Sequence, residues 1–177
     1  LSEGQYSDHN PHPGHIDFSS DGYSVSGWNS DLFDGSHTSP KPNFRGYFYI
    51  EFSRPYADFI CSGNDQDKVQ GAVTFAEEGP LTARVGLSLI SVEQARANLI
   101  REVGDRSYRS VLRLAREKWA SQFDKVRIEA SEEVKTIFYT ALYHSLLYPR
   151  KIDEYGSYYS AFDDSVHNGV MYNCWSM

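Results

Sequence analysis

With 177 residues, 40% hydrophobic and 23% charged, the chain has the composition of a folded protein, long enough for one compact domain or for pieces of two. A formal net charge of −7 and the lack of any run of five basic residues argue against nucleic acid as a partner, because phosphate binding needs clustered Lys and Arg. No apolar run reaches the roughly 18 residues of a membrane-spanning helix.

The chain opens on Leu1 without the charged-then-apolar pattern of a signal peptide. Because the first residue is not Met, the natural start is expected upstream, and that lack says nothing about secretion. The only cysteines, Cys61 and Cys174, are far apart and differ in context, which suits neither a metal site nor a disulfide framework. Aromatic residues make up 15% of the chain, with 13 Tyr, 10 Phe and 3 Trp. Carbohydrates and other amphipathic ligands stack on such rings, although cores and interfaces use them equally.

Residues 1 to 45 are rich in Gly, Ser, Asp, Asn, Pro and His and read as loops around short strands. His9, His12 and His15 fall within seven residues, a spacing that can ligate a metal. Pro11, Pro13 and Gly14 make this stretch irregular and no Cys or carboxylate pattern completes a site, so a solvated loop is the better reading. From Arg45 the texture changes to RGYFYIEFSRPYADFICSG, where Tyr47, Tyr49 and Glu51 alternate with Phe48, Ile50 and Phe52 as in a strand with two usable faces. A second strand in QGAVTFAEEG and a third in LTARVGLSLI follow short turns. Three strands in succession predict an antiparallel meander, packed on another sheet as a β-sandwich.

At Ser91 the pattern becomes helical. Ser91 and Gln94 form a capping box ahead of VEQARANLIREV, and Gly104 ends the helix. A second helix, about 107 to 121, lines up Leu112, Ala115, Trp119 and Phe123 as a packing stripe. KVRIEA reads as a strand or an extended connector. A third helix starts at the N-cap Ser131, carries Glu132 and Glu133 in its first turn, and stops at Tyr148-Pro149. Val134, Ile137, Phe138, Ala141, Leu142 and Leu146 form one face of it, and Tyr139, Tyr143 and Leu147 carry the apolar surface further round. A helix apolar on nearly all sides belongs inside a group of helices, and one buried helix cannot make such a core alone. The aromatic segment after Pro149 reads as loop, so the chain is expected to be truncated at both ends.

The phrases YFYIEFSRPY (47–56), ARVGLSLISVEQARANL (83–99) and VKTIFYTALYHSLLYPR (134–150) resemble, in order, motifs of glycoside hydrolase family 92, the exo-acting α-mannosidases. Asp153, Gly156 and Tyr158, followed by YNCWSM, are similar to the loop that in this family precedes a Trp-Asp-Thr motif. Residues 1 to 46 match less clearly. The resemblance implies an α+β fragment of a two-domain enzyme. It would comprise the C-terminal part of an N-terminal β-sandwich (1–90), linker helices (91–124) and the first helices of an (α/α)6 catalytic barrel (125–177). It also implies calcium as cofactor, cleavage of terminal α-mannosidic bonds of N-glycan type with inversion, a mannose-containing glycan as partner, and a secreted, periplasmic or cell-surface location. Hard oxygen ligands suit calcium, and inversion requires an acid and a base with room for water between them. In the family those catalytic and calcium-binding residues lie beyond residue 177, so the resemblance carries none of them onto this chain.

Within the chain, Trp175 and Tyr172 stand at the approach to the expected sugar-binding motif and are candidate walls of the pocket, and Trp28 in SGWNSD is a candidate stacking platform. Core packing is the alternative for each. Asp163, Asp164 and His167 in FDDSVHN can be read as an acid and base, but adjacent carboxylates in a Gly/Ser/Asn-rich stretch more often form turns. His144 on the third helix reads as a satisfied core histidine rather than a catalytic one. The rival to the enzyme fragment is a non-catalytic carbohydrate-binding or scaffold module.

Overall fold

The computed structural model describes residues 13–30, 43–65 and 69–173, and divides the chain into two compact units, 1–99 with 159–166 and 100–158 with 167–177. The first unit is built on a four-stranded antiparallel sheet in the order β1-β2-β3-β6, from β1 (Gly14–Phe18), β2 (Ser24–Asn29), β3 (Gly46–Phe52) and β6 (Ala83–Ser88). Between β3 and β6 in sequence lie β4 (Asp58–Ser62) and β5 (Gln70–Thr74), which pair only with each other. The expected meander is therefore corrected. The apolar stretch from Arg45 to Gly63 is two strands, broken at Ser53–Ala57, and β6 returns to pair with β3 rather than with β5. The break is at Pro55, which lacks a ladder donor, and Tyr56 turns inward there to donate from its hydroxyl to the Ser19 carbonyl at 2.6 Å.

One face of the sheet packs on the β4–β5 hairpin through aromatic rings. Phe18 stacks on Phe59 with centroids 4.3 Å apart, and Tyr56 meets Phe18, Phe52 and Phe59 edge-on. On the same face the cross-strand pairs Ile50–Val85 and Phe48–Leu87 continue the apolar surface, yet Leu87 is 68% exposed. On the other face α1 (Val92–Glu102) meets β6, and its Ala95 and Leu99 are buried against Gly86. Burying a side chain like Leu99 stabilises by about 1.5–3 kcal/mol. The cap of α1 is half of the expected box. The Gln94 amide donates to Ser91 Oγ at 3.1 Å, but the Gln94 side chain reaches Asn98 instead of returning, and the Ser91 amide donates to Ser88 Oγ at 3.3 Å. Asn98 is buried and uses its own amide to hold the Leu87 carbonyl at 2.9 Å. That bond fastens helix to strand.

The second unit contains α2 (Tyr108–Phe123) and α3 (Glu132–Ser145), N-capped by Ser107 and Ser131. Trp119 lies 4.8 Å from Tyr143, and Phe123 lies 6.1 Å from Tyr139, so the two helices run antiparallel along the stripe read from the sequence. The connector 124–130 holds no strand, and the Tyr139 hydroxyl donates to its Val126 carbonyl at 3.0 Å. Much of α3's remaining apolar surface has no cover among the described residues: Ile137 is 64% exposed, and Val134 and Leu146 are also exposed, while Phe138 and Leu142 are half-buried. His144 is exposed beside the Tyr143 ring, not a core histidine, because the helices expected to enclose it are not among the described elements.

The segment after Pro149, expected as loop, contains β7 (Arg150–Lys151), β8 (Ser157–Ser160), β9 (Ser165–Asn168) and β10 (Tyr172–Asn173). Two short antiparallel ladders result, β8 with β9 and β7 with β10. The tight turn into β8 uses Tyr155 (φ 58) and Gly156 (φ 101), both left-handed, as a two-residue hairpin connection requires.

Candidate functional site

The C-terminal hairpins hold most of the residues singled out from the sequence. Tyr172 on β10 sits opposite Lys151 of β7 and is 53% exposed, so its ring is open to a ligand. Beneath this ladder the Asp153 side chain is 1% exposed, its Oδ2 3.1 Å from Lys151 Nζ, and its Oδ1 accepts the Met171 amide at 3.3 Å. Burial alone would raise the Asp153 pKa, but the Lys151 ammonium and the amides of Met171 and Gly156 outweigh it and hold the carboxyl below its usual range. Asp153 thus ties the chain entering the ladders to the chain leaving them through the Met171 amide, while Lys151, two residues before it, balances its charge.

Tyr155 is stabilised in its left-handed turn from two sides. The Arg101 guanidinium lies 3.7 Å above its ring, and its hydroxyl donates to Glu102 Oε1 at 2.7 Å. Burial, and then the Glu102 carboxylate, push its phenol pKa up. A left-handed conformation costs a residue other than Gly on the order of 1 kcal/mol, and these contacts offset it.

The FDDSVHN residues do not assemble an acid and base. Asp164 is a left-handed turn residue (φ 57) whose carboxylate accepts the Tyr159 hydroxyl at 2.6 Å and both the amide and side-chain nitrogen of Asn43 at 3.2 and 3.1 Å. Burial, and then Asp164, push the Tyr159 phenol far above its ordinary pKa. The Asp163 carbonyl accepts the Ser165 hydroxyl at 3.2 Å, and His167 stacks on Tyr158. Asp164 therefore works as the turn former that the composition of the stretch favoured.

Trp28 lies on β2 between His15 on β1 and Tyr47 on β3. The Arg45 guanidinium sits 3.7 Å over its ring, and the His15 ring is parallel to it at 6.3 Å. His15 itself is in a strand rather than a solvated loop, with Asp17 and Asp65 carboxylates at its two ring nitrogens. His9, His12, Cys174 and Trp175 lie outside the described residues. Among the described residues no group of three or more His, Cys, Asp and Glu could hold a metal ion, so calcium finds no fitting ligand set here. A groove of roughly 500 Å³ runs between the second unit's helices, lined by Phe123, Glu132, Lys135, Thr136, Tyr139 and Tyr143. The pairing of Asp153 with Lys151 and the clamp on Tyr155 were not read from the sequence. The D-x-x-G-x-Y spacing is the one sequence signal for both, and by composition it reads as loop.

Residues 94–177 match the model described as the Glycosyl hydrolase family 92 catalytic domain. Among solved structures, the chain is similar to the family GH92 inverting mannosidase BT2199 from Bacteroides thetaiotaomicron, at 30% identity and a TM-score of 0.73, over 90% of this chain and 24% of that one. It has the fold of the gh92 family glycosyl hydrolase ccman5, at 24% identity and a TM-score of 0.75, over 94% of this chain and 24% of that one. It also shares the fold of the family GH92 alpha-mannosidase BT3965 from Bacteroides thetaiotaomicron in complex with mannoimidazole, at 16% identity and a TM-score of 0.72, over 92% and 23% of the two chains. This chain thus spans about a quarter of the length of these structures. No curated protein matches it.

Proposed function

Because the chain belongs to glycosyl hydrolase family 92, we propose that the protein containing it hydrolyses terminal α-mannosidic bonds, of the α-1,2 type in N-glycan-like mannosides, with inversion at the anomeric carbon. The observation that carries this reading is the catalytic-domain match over residues 94–177, in a chain 30% identical to an inverting mannosidase. In this reading residues 1–90 are the end of a β-sandwich, 91–124 are linker helices, and 125–177 begin the (α/α)6 barrel. Exposed apolar residues on α3, Ile137 foremost, supply the face on which further barrel helices would pack.

Tyr172, Trp175 and Trp28 are the residues of this chain proposed to touch the glycan. The open ring of Tyr172 offers a stacking surface, held in place by the β7–β10 ladder and Asp153. Calcium is proposed to bind through oxygen ligands outside this chain, and supplies, when bound, a polarising contact for sugar hydroxyls. The described residues contribute no acid, base or metal ligand; they brace and line the approach. A secreted, periplasmic or cell-surface location is proposed with the substrate, since polymeric mannosides are met outside the cytoplasm.

The test is an assay of the full-length protein on an α-1,2-linked mannobiose, with NMR of the sugar as it is released. Inversion predicts β-mannose as the first product, before mutarotation, and loss of activity on chelation that added calcium restores. Release of α-mannose first would rule out inversion. Binding without any hydrolysis would turn the reading toward a carbohydrate-binding module.

A further inference from the structure

Both ring nitrogens of His15 face carboxylates: Nε2 is 3.1 Å from Asp17 Oδ1, and Nδ1 is 3.1 Å from Asp65 Oδ1. Asp17 lies two residues along β1, whereas Asp65 belongs to the turn that follows β4. That turn lies along the edge of β1. The Asp65 amide donates to the Gly14 carbonyl at 2.8 Å, the Ile16 amide donates to Asn64 Oδ1 at 2.8 Å, and Asn64 Nδ2 donates to the Ile16 carbonyl at 3.0 Å. The side-chain amide of Asn64 thus pairs with Ile16 as a neighbouring strand would, and occupies an edge that would otherwise present open donors and acceptors.

A neutral imidazole carries one N–H and can serve only one of the two carboxylates, while the imidazolium serves both. From β2 the facing residue is Trp28, which carries no charge, and the Arg45 guanidinium lies over the Trp28 ring. Among the described residues, two carboxylates and an uncharged indole therefore meet one titratable ring. We propose that His15 is a pH-operated clasp on the sheet edge: the imidazolium holds the 63–65 turn against β1, and loss of its proton releases one of the two bridges. The Asp17 hydrogen bond, opposed by partial burial and reinforced by Asp65, raises the His15 pKa above its ordinary value of 6.5. The sign follows. A raised folded-state pKa gives a contribution fully present below 6.5 that is lost as pH rises through the folded value.

The test is hydrogen exchange by mass spectrometry on the full-length protein, following peptides over residues 13–18 and 62–65 between about pH 5.5 and about pH 8.5, corrected for intrinsic exchange. Protection is expected to fall by roughly two- to fivefold across that range, the scale of one partly exposed ion pair. His15→Gln should remove the dependence while leaving the Asn64 side-chain and Asp65 amide pairing with β1 in place. In parallel, exchange of the His15 ring C2 hydrogen gives its pKa directly, which is expected above 6.5 and lowered in Asp65→Asn. A pKa at or below 6.5, corrected protection that does not change with pH, or a dependence that survives in His15→Gln would each overturn the clasp.

Discussion

Gly86 on β6 sits so close beneath α1 that a Cβ built on it would stand 2.8 Å from the Leu99 Cβ and nearer still to the Ala95 carbonyl oxygen. The sheet and helix meet at this one missing side chain. Gly86→Ala must displace backbone rather than a flexible side-chain tip, and is expected to destabilise the protein by about 1–3 kcal/mol. Urea unfolding should show a lower midpoint with an unchanged slope. Gly46→Ala is the control: its nearest neighbour is the Asn29 carbonyl at 4.0 Å, and its effect should stay within about 0.5 kcal/mol.

Tyr159→Phe removes a 2.6 Å hydrogen bond from a buried hydroxyl to Asp164, while Asn43 continues to donate to the same carboxylate. The expected loss is about 1–2 kcal/mol. Because burial and Asp164 raise the phenol pKa, the folded state binds this proton more tightly than the unfolded chain does. The contribution is complete below the unfolded value near 10 and fades as pH rises beyond it. Phenolate absorbance at high pH should show one late-ionising tyrosine fewer in the variant than in the natural chain, with Tyr155, whose phenol pKa is also raised, remaining in both.

Much of this architecture was legible in local pattern. Ser131 caps α3, Gly104 ends α1 with a left-handed φ of 52, and the Trp119–Phe123 stripe packs as its spacing required. What misled was pairing. Alternation in 45–63 shows which residues share a face but not which distant strand completes the ladder, so β6 was placed beside β5 instead of β3. Side-chain choice was also hidden: Gln94 fits a capping box, yet buried Asn98 offers it a partner at 2.8 Å. The hairpins after Pro149 depend on left-handed Tyr155 and Asp164, residue types that carry no signal for that conformation as strong as glycine's. The candidate site suffered most, because the clamp on Tyr155 and the pairing of Asp153 with Lys151 join residues whose polarity looked like that of any surface loop.

Lys151→Met removes the cation beside a carboxylate that is 1% exposed. Without it the Asp153 pKa should rise from its depressed value, because burial is then opposed only by the Met171 and Gly156 amides. In the natural chain the carboxylate's contribution is present above about pH 4 and is lost as pH falls through the depressed folded value. The variant should instead loosen the β7–β10 ladder at neutral pH. Faster amide exchange over residues 150–153 and 170–173 is the measurement, and unchanged exchange there would show that Lys151 is dispensable.

Ile137→Lys separates the environment of α3 in this chain from that in the whole enzyme. At 64% exposure the substitution meets little cost here: helix content of the isolated 177-residue chain should be unchanged and its stability should hold within about 0.5 kcal/mol. In the full-length protein, where further barrel helices are proposed to cover that face, an uncompensated charge should cost about 2–4 kcal/mol or prevent folding. Equal tolerance in both would remove α3 from the barrel interior.

Tyr172→Ala tests a proposed glycan contact whose ring is exposed. An aromatic stacking contact contributes about 0.5–1.5 kcal/mol, so KM for an α-mannoside should rise by about two- to tenfold. The catalytic groups are placed elsewhere, so kcat should stay nearly constant, which marks uniform binding rather than transition-state stabilisation. Tyr172→Phe keeps the ring and should restore the natural KM; if it matches the Ala variant instead, the hydroxyl and not the ring carries the contact. Should both variants retain the natural KM, Tyr172 braces the β7–β10 ladder without touching sugar, and its exposure reflects only its place on the outer strand.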